Sequence, residues 1–427
     1  YYFGVRADGT GTAKSSDIVW SDRFTLVDPE RPRVILHESP LSLPAAVVVK
    51  YSFANLDKTT NPTSGVCWNE TGSPTISDLH QDGPILGFAL DYGVHMAYGV
   101  KNNGIIELQS MNFPKRVQFH VQGVPETKEG DWGDYLRGAT RAMGEKYKLT
   151  KGLCGVIRGA LPSGGISSSA ALTICFMKAL SAVNGIELTD SEYIYLAKKA
   201  ENEYVGVASG KLDQSCETLC RKDSILYMDS QDDTYSNIPS SEAMKDFKIG
   251  IFFSGLERNL ASSAYNNRVD ECKASAFALY SYAVTDRRGD YDLGEGLKFK
   301  DMKLRGIPEE IYKEFGVRLP SSWQKRCNHF YSEMHRVEKG VECWKKGDIE
   351  AFGRLVNESG MSSIVNYECG SPWLIKLYSI LVDLDGVYGA RFSGAGFKGC
   401  CMALLDGEKS DRIKEIVERE YLKEFPD

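Results

Sequence analysis

One stretch of this chain shows its pattern most clearly. Leu172, Cys175, Phe176, Ala179, Leu180 and Val183 recur at helical spacing, and Gly185 follows as a stop. Helical patterns also predict elements around 131–147 and 190–204. The second of these opens on Thr189-Asp190-Ser191-Glu192, a capping box. Ahead of these helices the chain is strand-rich, at 85–90, 93–100, 105–109 and 117–121. Further strands are predicted at 225–228 and 249–253, and long helical stretches near 323–346 and 348–359. A strand pair at 389–392 and 399–405 brackets Ser393-Gly394-Ala395-Gly396. Strands and helices mix without strict alternation, which predicts an α+β fold rather than a doubly wound sheet. Residues 1–76 read differently. They are turn-rich at 8–12 and 61–65, with a short strand candidate at 47–49.

Length and composition narrow the class. A chain of 427 residues is too long for one ordinary core, so two domains are expected. Its 26% charged and 42% hydrophobic residues are the balance of a soluble globular protein. A net charge of −7 argues against general nucleic-acid binding, and no apolar run has membrane-spanning length. The 11 cysteines include no CxxC pair and the 6 histidines are dispersed. That fits reduced thiols in the cytoplasm and argues against a zinc site. A monomer is expected.

Residues 162–171 read Pro162-Ser163-Gly164-Gly165-Ile166-Ser167-Ser168-Ser169-Ala170-Ala171 and run straight into the helix above. Such a loop exposes several backbone N–H groups at the positive end of a helix, and phosphate is the natural guest. No lysine follows the glycines, so this is not a Walker-type P-loop. Glu201 and Asp213 come soon after in the chain. Phosphoryl transfer needs a metal to neutralise phosphate charge and a carboxylate to accept the acceptor's proton, and these two side chains can supply both functions. Taken singly, each would pass for a solvated surface carboxylate.

The ten-residue loop resembles the ATP-binding motif of the GHMP kinases, Pro-x-x-x-Gly-Leu-x-Ser-Ser-Ala-Ala. The segment from Ala200 to Ser215 is similar to a galactokinase stretch, Ala-Glu-His-x-Phe-Val-Gly-x-x-x-Gly-x-x-Asp-Gln. Gly389 to Cys401 resembles the C-terminal glycine motif of the same family. Leu260 to Arg268 with Glu271, and Phe352-Gly353-Arg354-Leu355, extend the likeness. Asn366-Tyr367-Glu368-Cys369-Gly370 and His80-Gln81-Asp82-Gly83 point to its galacturonokinase branch. The resemblance implies a two-domain GHMP kinase fold, with a ribosomal-S5-like ATP-binding domain at 77–242 and a ferredoxin-like α/β sandwich at 243–427. It implies ATP and Mg²⁺ as cofactors and a sugar or uronic acid as substrate. Pro162, Gly164, Gly165, Ser167, Ser168 and Ser169 would hold ATP. Ser169 and Glu201 would hold Mg²⁺, and Asp213 would be the catalytic base. Tyr265, Gly210, Asp78, His80 and Asp82 would face the substrate. The implied activity is phosphorylation of the anomeric hydroxyl of D-galacturonate. The alternatives are a galactokinase acting on D-galactose, or a nucleotide-binding sensor with impaired turnover.

Two departures stand out. Lys211 takes a position that is usually apolar in galactokinases. It is an exposed lysine, a group that favours ionised Asp213, or a group that meets an anion on the sugar. The N-terminal sugar motif survives only in its tail: aligned on His80 and Gly83, the sugar-binding Asp position holds Leu79 and the motif histidine position holds Ser77. Residues 1–76 match the family poorly and are expected to pack poorly, leaving a bare sheet edge and an open site.

Overall fold

The computed structural model describes residues 81–427 except 160–165, 208, 256–262, 287–292, 294–296, 395, 397–398 and 427. Before residue 81 it describes the backbone of five strands: β1 (Arg33–Leu36), β2 (Leu41–Leu43), β3 (Ala46–Val48), β4 (Tyr51–Ala54) and β5 (Ser64–Ser73). Strands β1 and β4 pair with each other, as do β2 and β3.

The first large layer is a seven-stranded sheet. Its spine is β6 (Pro84–Lys101), an 18-residue strand. The pattern predicts two strands here, with a break near Asp91. The break survives only as an irregularity: opposite it β5 shifts register between Glu70, which pairs with Gly93, and Gly72, which pairs with Ala89, and from Val94 to Gly99 β6 pairs with β5 on one side and with β9 (Gly152–Gly159) on the other. Strand β5 therefore covers an edge that was expected to be bare. Strands β7 (Ile105–Ser110) and β8 (Arg116–His120) continue the sheet beyond β9, and β7 and β9 form a parallel pair.

Helix α1 (Asp134–Gly144), α2 (Ser168–Asn184) and α3 (Asp190–Lys199) pack on this sheet. Their shared core includes Met96, Leu108, Leu136, Leu153, Ile174 and Phe176. The capping box at Thr189 and Glu192 is present. The helical pattern over 190–204 is interrupted, however. After α3 the backbone widens into a π-helical turn, Ala200–Val205, which Gly206 ends at φ 82°. Helix α4 (Leu212–Leu219), missed by the pattern, comes next. Strands β10 (Ser224–Asp229) and β11 (Tyr235–Pro239) then return to the sheet, β10 pairing with β6.

The second layer is a three-stranded antiparallel sheet of β12 (Phe247–Phe253), β13 (Val387–Phe392) and β14 (Cys400–Asp406), ordered β12-β14-β13. Around it lie α5 (Ser263–Asp286), α6 (Glu309–Phe315), α7 (Ser321–Lys346), α8 (Ile349–Val365), α9 (Pro372–Val382) and α10 (Ser410–Leu422). The two layers share a core, in which Leu86, Ile225 and Ile238 of the first meet Val337, Trp344, Phe352 and Leu404 of the second. Trp344 donates to the Ile238 carbonyl at 3.1 Å across this seam. No helix among the described residues is long and apolar enough to cross a membrane.

Helix α8 and strand β13 approach backbone to backbone. A side chain on Gly353 would overlap the Tyr388 carbonyl, and one on Gly389 would overlap the Gly353 carbonyl. Gly353→Ala is therefore expected to cost about 1–3 kcal/mol in urea unfolding. Gly306→Ala, where a Cβ meets nothing within 4 Å, should stay within about 0.5 kcal/mol.

Candidate active site

Helix α2 is buried on nearly all sides, with Ala170, Ala171, Ile174, Cys175, Phe176, Met177, Ala179 and Leu180 at 0% exposure. Its axis is thereby locked, and so is the direction in which its positive end points. The loop delivers the chain to that end through Ser167, a left-handed residue at φ 57°. Ser167 caps no N–H with its side chain, and no acidic residue sits in the first turn. The first turn therefore supplies no carboxylate of its own to its N–H groups, as suits an anion site. Ser168 and Ser169 are half-buried on that turn, and the Ser169 carbonyl accepts from Thr173 Oγ1 at 2.8 Å. Pro162, Gly164 and Gly165 lie outside the described residues.

Glu201 sits in the π-helical turn and is only 4% exposed. Both Gly206 and Val207 donate their backbone N–H to its carbonyl, at 2.9 and 3.1 Å. Its carboxylate accepts from Gln214 Nε2 at 2.8 Å and from Ser209 Oγ at 3.0 Å. Gln214 is fully buried on α4, and its Oε1 has no hydrogen-bond partner among the described residues. Asp213, the preceding residue, is half-buried in the first turn of α4, where the helix dipole favours negative charge. The sequence separates Glu201 from Asp213; Gln214 ties the two elements together. Neither the π-helical turn nor the role of Gln214 is visible in the hydrophobic pattern. The signal available was the adjacency of Asp213 and Gln214 in the quoted motif.

Among the described residues no group of three or more His, Cys, Asp or Glu side chains gathers as a metal cage. A buried carboxylate and a serine hydroxyl are donor types that Mg²⁺ accepts when phosphates and water complete its shell. Ser169 and Glu201 fit such an ion.

Lys211 is not an exposed lysine. Its side chain is 16% exposed and pairs with Asp233. Burial, and then the nearby Lys198 ammonium, holds its pKa below the ordinary lysine value. Gly210 is half-buried beside it. Asp82, at φ 59°, gives both carboxylate oxygens to Lys303 Nζ at 2.6 Å, which links the tail of the sugar motif to the second lobe. Gln81, next to it, accepts from the Leu304 N–H at 2.9 Å. Asp78 and His80 lie outside the described residues. Tyr265 stands in the first turn of α5, and its side chain is likewise outside them.

The C-terminal glycine motif is the β13–β14 turn, with Gly394, Gly396 and Gly399 all at positive φ. A Cβ on Gly396 would lie 2.9 Å from Cys369 Sγ, so the turn seats on the 366–370 segment. That segment carries Glu368 in the left-handed region, at φ 54°. Arg326, fully buried, explains how it is held: it donates to Glu368 at 2.7 Å, to Glu271 at 2.6 Å and to the Asn366 carbonyl at 2.5 Å. Lys325 adds a bond to Glu368 at 2.6 Å. Neither cation was singled out by the sequence, because each lies on a long helix with no motif around it.

Family comparisons decide what this arrangement belongs to. The GHMP kinases N terminal domain matches residues 134–221, and GHMP kinases C terminal matches 341–424. The Arabidopsis thaliana galacturonokinase is 34% identical over 368 residues, covering 82% of this chain and 84% of that protein. The chain belongs to the GHMP kinase family. It is a phosphotransferase with an alcohol group as acceptor. A Clostridium perfringens galactokinase is 31% identical over 333 residues, covering 77% of this GHMP kinase and 82% of its own length. In structure, a Lactococcus lactis galactokinase complexed with galactose superimposes with a TM-score of 0.73 at 25% identity, over 86% of this chain and 92% of that one. Kinases of this family use ATP. Ser167 to Ser169, Glu201 and Asp213 all fall within the N-terminal match, and the glycine turn falls within the C-terminal one.

These contacts lead to two expected outcomes. Gln214→Leu removes a donor that orients Glu201. The Mg²⁺ concentration for half-maximal turnover should rise roughly 10- to 100-fold, measured by metal titration of the kinase rate. Glu368 is held at about 2, below its usual 4.5, first by its bond to Lys325 and then by Arg326. Because the folded value is the lower one, its pairing contributes fully above about pH 4.5 and is lost as pH falls toward about 2. The stability gap between the wild type and Glu368→Gln should be widest at neutral pH and close through that window in urea melts.

Proposed function

We propose that this GHMP kinase is an ATP-dependent sugar-1-kinase that phosphorylates the anomeric hydroxyl of D-galacturonate. The observation that carries the reading is the tie between Asp213 and Glu201 through Gln214, in a chain 34% identical to a galacturonokinase. Asp213 takes the proton of the anomeric hydroxyl, and the oxygen attacks the γ-phosphorus in line as ADP leaves. The 162–171 loop holds the phosphates with backbone N–H groups at the positive end of α2. Bound by Ser169 and Glu201, Mg²⁺ supplies charge neutralisation at the β- and γ-phosphate oxygens. Gly210, Tyr265, Asp78, His80 and Asp82 are proposed to surround the sugar.

A second reading has its own observation. The sugar motif is broken at Ser77 and Leu79, which favours a nucleotide-binding sensor without turnover. ADP release across a panel of sugars separates the readings. Turnover on galacturonate above galactose supports the proposal. Nucleotide binding with no turnover on any sugar supports the sensor. Asp213→Asn should lower kcat by about 10²- to 10⁴-fold while ATP affinity changes little. Loss of ATP affinity with turnover preserved would remove Asp213 from its role.

A further inference from the structure

Four cations and three carboxylates meet where α3, α4, the β10–β11 turn and the 303–305 segment converge. Three of the cations are matched. Lys303 holds Asp82 at 2.6 Å, Arg305 pairs with Asp229 at 2.8 Å, and Lys211 pairs with Asp233. Lys198, in the last turn of α3, has no hydrogen-bond or ion-pair partner among the described residues. It is half-buried, with Lys303 and Asp82 facing it, and burial followed by the Lys303 charge holds its pKa below the ordinary lysine value. Lys198 in turn disfavours the charge on Lys211. Two half-buried ammonium groups that repel each other, one of them sharing the Asp82 carboxylate with Lys303, are costly to keep unless a further anion comes between them.

The position limits which anion that is. Lys211 stands two residues before Asp213, Lys198 three residues before Glu201, and Asp82 belongs to the tail of the sugar motif. The nucleotide phosphates have their own place at the start of α2. We propose that Lys198 and Lys211 form the subsite for the carboxylate of a hexuronic acid, and thereby set the choice between a uronic acid and the neutral sugar of the same stereochemistry. The proposal rests on the galacturonate reading. The uronate carboxylate adds the counter-charge of its own that Lys198 does not have among the described residues, where Asp82 is bonded to Lys303. A neutral sugar leaves the pair uncompensated and places a hydroxymethyl group where charge is wanted, so discrimination comes from both attraction and the cost of an unpaired cation.

The test is steady-state kinetics on galacturonate, galactose and galacturonamide, with ATP varied separately, for the wild type, Lys198→Met, Lys211→Met and Lys198→Arg. Thermal melting confirms that each variant is folded. The ratio of kcat/KM for galacturonate over galactose should fall about tenfold or more in each Met variant, chiefly through KM for galacturonate, and be largely kept in Lys198→Arg. The wild type should discriminate against galacturonamide as it does against galactose. A folded Lys198→Met whose ratio moves by less than about twofold overturns the subsite, as does a rise in KM for ATP that is the same with both sugars. If the wild type prefers galacturonate and the Met variants keep that preference, the subsite alone falls. If the wild type prefers galactose, the galacturonate reading falls and the subsite with it.

Discussion

A carboxylate that is 4% exposed must find donors, and Glu201 finds them in Gln214 and Ser209. Hydrogen bonds to a buried charge contribute about 1.5–3 kcal/mol each, whereas leaving such a group unsatisfied costs at least as much. The bond from Gln214 therefore does more than orient Glu201. It fixes the start of α4 against the π-helical turn, and the start of α4 carries Lys211 and Asp213. The candidate metal ligand, the candidate base and the cation beside them share one geometry because one amide spans the gap. The π-helical turn is part of the same constraint. Its extra residue per turn rotates the downstream backbone relative to α3, and such turns often mark functional sites.

The site is also held from outside. The two sheets share the seam built by Leu86, Ile225, Val337, Trp344 and Phe352. Apolar contacts of this kind are not directional, so polar pins give the seam its register: Gln81 to Leu304, Lys303 to Asp82, and Arg305 to Asp229. In the second lobe Arg326 plays a comparable part. It braces Glu271 on α5 and Glu368 beneath the glycine turn, which joins the helix that carries Tyr265 to the turn at Gly396.

Charge at the site runs against charge on the whole molecule. The chain carries a formal −7, yet in the cluster beyond α3 and α4 the cations Lys198, Lys211, Lys303 and Arg305 outnumber Asp82, Asp229 and Asp233 by one. One cation in excess suits a single small anion, while negative charge elsewhere on the molecule repels a polyanion.

The local chemistry was legible in the residues themselves. The serine-glycine loop before α2, the capping box at Thr189, the paired strands around the C-terminal glycines and the Asp213-Gln214 pair are short-range signals, set by backbone conformation and by spacing along the chain. What they could not contain was decided by packing. Strand β6 continues past Asp91 because β5, despite a register shift there, pairs with it before and after that point. The helix after Thr189 widens at Ala200, which local propensity does not announce. Lys211 reads as a surface lysine until burial and the approach of Lys198 and Asp233 give it a setting. Arg326 looks like any cation on a long helix until Glu271 and Glu368 close on it from other elements. In each case the partner lies far away in sequence. Spacing along the chain specifies neighbours within a turn or two, and only the closed core brings the others within bonding distance.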